Sequence, residues 1–327
     1  MCPKLPDGYQ TVYDDCHVCL ERLTLRGFSY IRPSMRILNL LLFYGVITPI
    51  SWLPPFVLYR VSDVLFVVFY HAIGYRKRVV YDNIRKSFPE KSEGEIRRVM
   101  RGFYRHFCDL LVESLMIFNI SSERATQRMR FRNPELLQKH FDEGRHVIIA
   151  GGHYNNWELF AVAVDQALQH QVYALYKPLN NLFFDEKMRS SRGQFGLRMV
   201  SIKKVKELFD SLEQSNPAAV VFATDQSPSN PQRAYWTSFL GRDTALLFGT
   251  EKFANDYDCP VYFCTLHKIK RGYYEGEFKL VADKPKELPY GKLTEMHTAL
   301  LEADIREKPE YWLWSHRRWK HQRVKND

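Results

Sequence analysis

The chain has 327 residues, enough for one large catalytic unit or two small ones, and its 45% hydrophobic content excludes a disordered polymer. Lys and Arg outnumber Asp and Glu by 47 to 37, and the net charge of +10 calls for an anionic partner: nucleic acid, a phosphate-bearing substrate or an anionic membrane. An aromatic content of 14% tilts that choice towards a membrane, because Trp and Tyr favour the boundary between water and lipid, and six cysteines without a repeated spacing exclude a disulfide scaffold and fit a reducing compartment.

Residues 1–34 are polar, mixed in charge and without a clear period, and read as an appended segment, with Met35 as an alternative start. Cys16-x-x-Cys19, with Cys2 and His17 nearby, is half a zinc site at most. No second pair completes a tetrahedral set, so no metal is expected. Ile37 to Tyr59 holds no charged residue and is flanked by Arg36 and Arg60. A bilayer needs about 20 apolar residues. Pro49, Pro54 and Pro55 interrupt the run, so one span and two half-buried helices both remain open. Val64 to Ile73 is too short to span and ends at Arg76-Lys77-Arg78, as an interfacial helix would. Residues 35–75 are therefore expected to form a membrane-anchoring helical region and residues 76–327 the main domain. No cleavable secretory signal is apparent, so the chain is expected to stay on the cytoplasmic side.

From Ser92 to Ile120 the apolar positions Ile96, Val99, Phe103, Phe107, Leu110, Leu111 and Leu115 recur at helical spacing, with Arg97, Arg98, Arg101 and Arg105 among them. This predicts a basic amphipathic helix, packed on a core or facing lipid or phosphate. Then strands and helices alternate. Strands at 146–150, 172–176, 199–202 and 218–224 enclose helices at 157–168, 183–193 and 203–214. A hairpin of 261–268 with 274–281 and a helix over 293–307 follow. The alternation predicts an α/β fold with a mostly parallel central sheet flanked by helices, its active residues in loops after the strands' carboxyl ends.

His153-Tyr-Asn-Asn-Trp-Glu158 follows a predicted strand across Gly151-Gly152 and opens a helix. A histidine serves as a base when one ring nitrogen is held by an acceptor and the other is left to take a proton, and Glu158 is placed to be that acceptor. Such a pair also occurs as ordinary surface or capping residues. No G-x-S-x-G, Walker or Rossmann glycine pattern is present, nor a nucleic-acid-binding module, so no nucleic acid partner is expected.

The stretch GGHYNNWELFAVA resembles the H-x4-(D/E) motif of the lysophospholipid acyltransferase superfamily, in the form used by bacterial lipid A biosynthesis (late) acyltransferases. YRKRVVYDNIRKSFPEKSEGE (75–95), ATDQSP (223–228) with FLGRDTA after it, and YWLWSHRRWK (311–320) look like the same family, in the same order. The resemblance implies a membrane acyltransferase moving a fatty acyl chain from a thioester, on acyl carrier protein or else coenzyme A, to a hydroxyl of a lipid A precursor, with no further cofactor. It implies His153 as general base with Glu158 as partner. Asn156, Arg192, Asp225, Gln226, Arg317 and Arg318 are implied to contact substrate: Arg192 a phosphate, Asp225 and Gln226 the pocket or acceptor, and Arg317 and Arg318 lipid phosphates. Read from the residues alone, Asp225 also suits a cap and Arg317 and Arg318 a plain basic tail. The implied location is the cytoplasmic face of a Gram-negative inner membrane. Lysophospholipid, ornithine lipid or glycolipid acceptors remain alternatives, as does a non-catalytic lipid-binding protein that keeps the fold.

Overall fold

The computed structural model describes residues 33–212 and 215–323; the appended segment up to residue 32 and the Cys16/Cys19 pair lie outside them. The chain divides into two compact units between Ile47 and Thr48. In the first, helix α1 (Pro33–Leu42) runs into a π-helical turn, Phe43–Ile47, and exposes Ile37, Leu38 and Leu41.

The second unit is built on a seven-stranded sheet. Its strands are β1 (Met129–Phe131), β2 (Val147–Gly151), β3 (Gln171–Tyr176), β4 (Arg198–Ser201) and β5 (Ala218–Ala223), with a later pair numbered after the small hairpin β6 (Tyr235–Phe239) and β7 (Arg242–Leu246) as β8 (Val261–Lys270) and β9 (Tyr273–Ala282). The order across the sheet is β1-β9-β8-β2-β5-β3-β4, and every neighbouring pair is parallel except β8 with β9. The α/β expectation with a mostly parallel sheet therefore holds. β2 shows why: Val147 and Ile149 face one apolar cluster and Ile148 and Ala150 the other, so it is apolar on both faces, as a strand covered by helices on both sides must be.

The covering helices are α2 (Pro55–Phe66), α3 (Lys77–Ser87), α4 (Glu93–Met116), α5 (Ser122–Arg128), α6 (Glu135–Asp142), α7 (Trp157–Ala167), α8 (Leu182–Gly193), α9 (Val205–Leu212), α10 (Gly249–Tyr257) and α11 (Lys292–Glu307). α7 buries Leu159, Val162, Ala163 and Val164 against the Ile149 face, while α9, α10 and α11 contribute Phe209, Ala254 and Leu301 to the Ala150 face. α4 is the predicted basic amphipathic helix. Ser92 and Glu95 close a capping box at its start, and Ile96, Phe103, Cys108, Val112 and Met116 lie along its buried side. The prolines act as the sequence suggested, because Pro54 caps α2 and Pro55 takes its first turn, where a missing N–H does no harm. The short apolar run from Val64 is a different matter. It belongs to α2, which takes in Arg60 and Asp63 and continues through a π-helical stretch, Val67–Ala72, to give 18 helical residues.

Candidate active site

The register of β2 and β5 builds the site. Gly151 pairs with Ala223 at the carboxyl ends of these parallel neighbours, and Thr224 donates its N–H to the Gly151 carbonyl at 2.9 Å. The chain leaving each strand therefore emerges side by side, which places His153 and Asp225 together. His153 Nδ1 lies 2.6 Å from Asp225 Oδ1, and the His153 backbone N–H donates to Oδ2 at 2.9 Å. Trp312 Nε1 donates to the same Oδ2 at 2.8 Å. A carboxylate only accepts, so the Nδ1–H is the donor of the 2.6 Å contact and Nε2 of the neutral ring holds the lone pair. The Gln226 side-chain amide nitrogen sits 3.1 Å from that Nε2.

The loop carrying His153 is held from several sides. A Cβ on Gly152 would lie 2.8 Å from Leu301 Cδ1 and 3.4 Å from the Asp225 carboxyl carbon, so only glycine lets the turn pass between α11 and the aspartate. Asn155 adopts a left-handed conformation, φ 53°, which Asn tolerates, and its side chain donates to the Leu266 carbonyl at 2.6 Å. Backbone bonds from Asn155 to Tyr311 and from Leu313 to the His153 carbonyl tie the loop to the C-terminal segment. The Trp157 ring meets the His153 imidazole edge to face, with centroids 5.1 Å apart.

Electrostatics follow from that enclosure. Burial disfavours a charged imidazole, but the Asp225 carboxylate and its hydrogen bond outweigh it, with Glu158 adding to them, and the His153 pKa stands above its ordinary 6.5. Burial alone would raise the Asp225 carboxyl; His153 and the donors around it hold it below the usual range instead.

The expected partnership of His153 with Glu158 is corrected by this geometry. Glu158 is seated in the first turn of α7, where both its oxygens accept from Arg192, Nε at 2.8 Å and Nη2 at 2.6 Å, and Trp157 Nε1 adds a bond at 3.1 Å. Glu158 thus accepts its hydrogen bonds from Arg192 and Trp157, while the imidazole Nδ1 is bound to Asp225, so Glu158 reaches His153 through its charge rather than through a bond. The same bonds also change the position of Arg192. That side chain lines the pocket, with its Nε and Nη2 given to Glu158. Asn156, expected at the substrate, is fully buried. It caps α7 through Leu159 N–H and donates to Glu113 Oε2 at 2.6 Å, deep in the protein. Arg318 is likewise buried, 1% exposed, with Nη2 on the Ala245 carbonyl, so it cannot meet lipid phosphates at a surface; Arg317 is exposed. His153, Arg192 and Gln226 do converge on one cavity, and Asp225 stands directly behind His153.

That cavity measures about 1060 Å³ and opens over the carboxyl edge of the sheet. Apolar side chains from both sheet faces line it, Ala174 and Val221 on the α7 side and Phe222 and Phe253 on the other. Lys177, Arg189, Lys203 and Lys320 also line it, all exposed and none in an ion pair among the described residues. No spacing or motif marks these four, which lie far apart in the chain. Among the described residues no group of His, Cys, Asp and Glu is arranged to hold a metal.

Residues 28–321 match the family described as bacterial lipid A biosynthesis acyltransferases. The chain belongs to that family. The chain is also similar to the lipid A biosynthesis palmitoleoyltransferase of Escherichia coli (strain K12) and the lipid A biosynthesis acyltransferase of Shigella flexneri. Each is 21% identical over 247 residues, which covers 75% of this chain and 79% of the relative. Membership spans both the His153 loop and the C-terminal Trp312 segment, so the parts that assemble the site all fall inside the matched region of this acyltransferase-family chain.

Proposed function

We propose that the protein is a membrane acyltransferase that moves a fatty acyl chain from an acyl thioester to a hydroxyl of a lipid A precursor, with His153 as general base and Asp225 as the residue that orients it. The observation that carries this reading is the 2.6 Å contact of His153 Nδ1 with Asp225 at the mouth of a large apolar cavity. Nε2 takes the proton of the acceptor hydroxyl as that oxygen attacks the thioester carbonyl. The carbon–sulfur bond then breaks, and the leaving thiolate takes the proton back from the imidazolium, which Asp225 stabilises in the meantime. Gln226, now on Nε2, occupies the place of the incoming hydroxyl and yields it on binding. Glu158 and Arg192 form the wall beside the histidine rather than its relay.

The acyl chain enters the lobe between the sheet and α7, against Phe160, Ala174, Leu197, Val221 and Cys264. The four unpaired cations at the cavity suit an anionic ligand, either the phosphates of the acceptor or the phosphate of a carrier-bound donor. Acyl carrier protein is acidic and suits a chain of net charge +10, which favours it over coenzyme A. We assign the enzyme to the cytoplasmic face of the inner membrane, a reading that its exposed apolar helices and basic side chains support.

The test is to incubate membranes containing the protein with radiolabelled long-chain acyl carrier protein and a lipid A precursor, beside His153→Ala. A more acylated lipid that falls by about 10²–10⁴-fold in the variant is expected, the usual worth of general-base catalysis. Equal transfer by the variant would end the proposal, and transfer only to a lysophospholipid would keep the base and change the acceptor.

A further inference from the structure

α2 and its continuation to Ala72 make the one helix among the described residues long and apolar enough to cross a bilayer, yet only 17% of it is buried in the protein. The two sides of this helix differ sharply. Leu58, Ser62 and Phe66, four residues apart, face inward. On and beside that line sits a polar clamp. Tyr59 donates to Glu113 at 2.8 Å and Ser62 to Asp109 at 2.8 Å. Asp63 accepts from Arg271 at 2.7 Å, and the same guanidinium reaches Asp109 at 2.6 Å. The partners lie on α4 and on the turn between β8 and β9, so the helix is locked to the catalytic unit from Leu58 to Phe66. The outward side carries Phe56, Val64 and Val67, from 54% to 72% exposed, with Arg60 in the same row, and exposed Trp52 and Ile73 flank the helix at its two ends. Exposed Arg76 and Arg78 follow its end, and Arg101 and Arg105 of α4 lie beside it with their guanidinia 6.0 and 5.2 Å from the Phe66 ring.

From this geometry, and resting on the membrane reading above, we infer that Pro55–Ala72 does not cross the bilayer but lies flat in an anionic lipid surface as the membrane-facing edge of the catalytic unit. A crossing helix would place Asp63, ninth of its 18 residues, near the bilayer centre and would pull Tyr59, Ser62 and Asp63 from Glu113, Asp109 and Arg271. A flat helix keeps every one of those bonds. It sinks the apolar row among the acyl chains, lets Arg60 reach up to the headgroups, and sets Arg76, Arg78, Arg101 and Arg105 against lipid phosphates. The occupant of this face is thus an anionic phospholipid bilayer.

The experiment uses the full chain with Cys2, Cys16 and Cys19 replaced by Ser and a spin label on Phe56→Cys, Val64→Cys or Val67→Cys, reconstituted on phosphatidylglycerol-containing vesicles. Collision with oxygen and with a water-soluble nickel complex reports depth. The expected result is one shallow depth at all three sites, lost on pure phosphatidylcholine vesicles. A spanning helix rises about 1.5 Å per residue, so Phe56 and Val67 would differ by roughly 16 Å; such a gradient overturns the inference. So do dipolar broadening at Val64, which means a second copy covers the face, and labels left in water while the protein still sediments with vesicles. Protein that does not sediment with vesicles at all refutes the membrane reading itself.

Discussion

Asp225 makes three contacts, and each constrains a different property of His153. The bond to Nδ1 fixes the tautomer, the bond to the backbone N–H fixes the loop, and Trp312 holds the carboxylate against both. Asp225→Asn keeps the shape and removes the charge. The side chain then offers an N–H as readily as an oxygen, so the imidazole loses its preference for an Nε2 lone pair, and kcat should fall by about 10²–10⁴-fold. A pH profile separates this from simple damage. The base must be neutral to act, so kcat/KM rises with pH through the His153 pKa, which the aspartate holds above 6.5. Without that anion the pKa drops, and the acid limb of the profile should move to lower pH in the variant. An acid limb that stays in place would mean that another group titrates, and Glu158→Gln is the control, because its carboxylate adds only a weaker field at His153.

At the level of elements, α7 is where the site and the fold meet. Asn156 caps this helix through Leu159 N–H and at the same time binds Glu113, a fully buried carboxylate on α4 that also accepts from Tyr59 and Tyr274. Asn156→Ala removes the cap, worth about 1 kcal/mol, and leaves a buried acceptor short of a donor, worth about 1–3 kcal/mol. A loss near 2–4 kcal/mol in chemical denaturation is expected, with KM for the acyl donor nearly unchanged in the folded fraction. A stable variant with a raised KM would instead return Asn156 to the substrate. Much of this level was legible in the sequence. The glycine turn after a short apolar strand and the period of Trp157–Leu168 predicted β2 and α7 to within a residue, because both signals are local. What escaped was non-local. β2 and β5 are neighbours although three helices and two strands intervene, so no spacing shows that Asp225 stands behind His153 while Glu158, only five residues on, faces Arg192. α2 was cut short for the same reason: Asp63 broke the apolar run, and its partner Arg271 is 208 residues away.

Across the whole molecule, the cavity exists because the sheet edge lies between two helix layers, and its depth on the α7 side is set by small residues on the strands. Ala174 on β3 and Cys264 on β8 line it where larger side chains would fill it. If that lobe holds the transferred chain, each methylene excluded from it forfeits about 0.8 kcal/mol, or roughly fourfold in kcat/KM. Ala174→Leu puts a branched side chain into the lobe from β3, a strand that carries neither His153 nor Asp225. Comparing acyl carrier protein thioesters of stepped length, the variant should lose the longest donors first and keep its rate on shorter ones. A uniform fall across all lengths would place the chain elsewhere, and the lobe on the Phe222 and Phe253 side, which opens to the same His153, is then where it must lie.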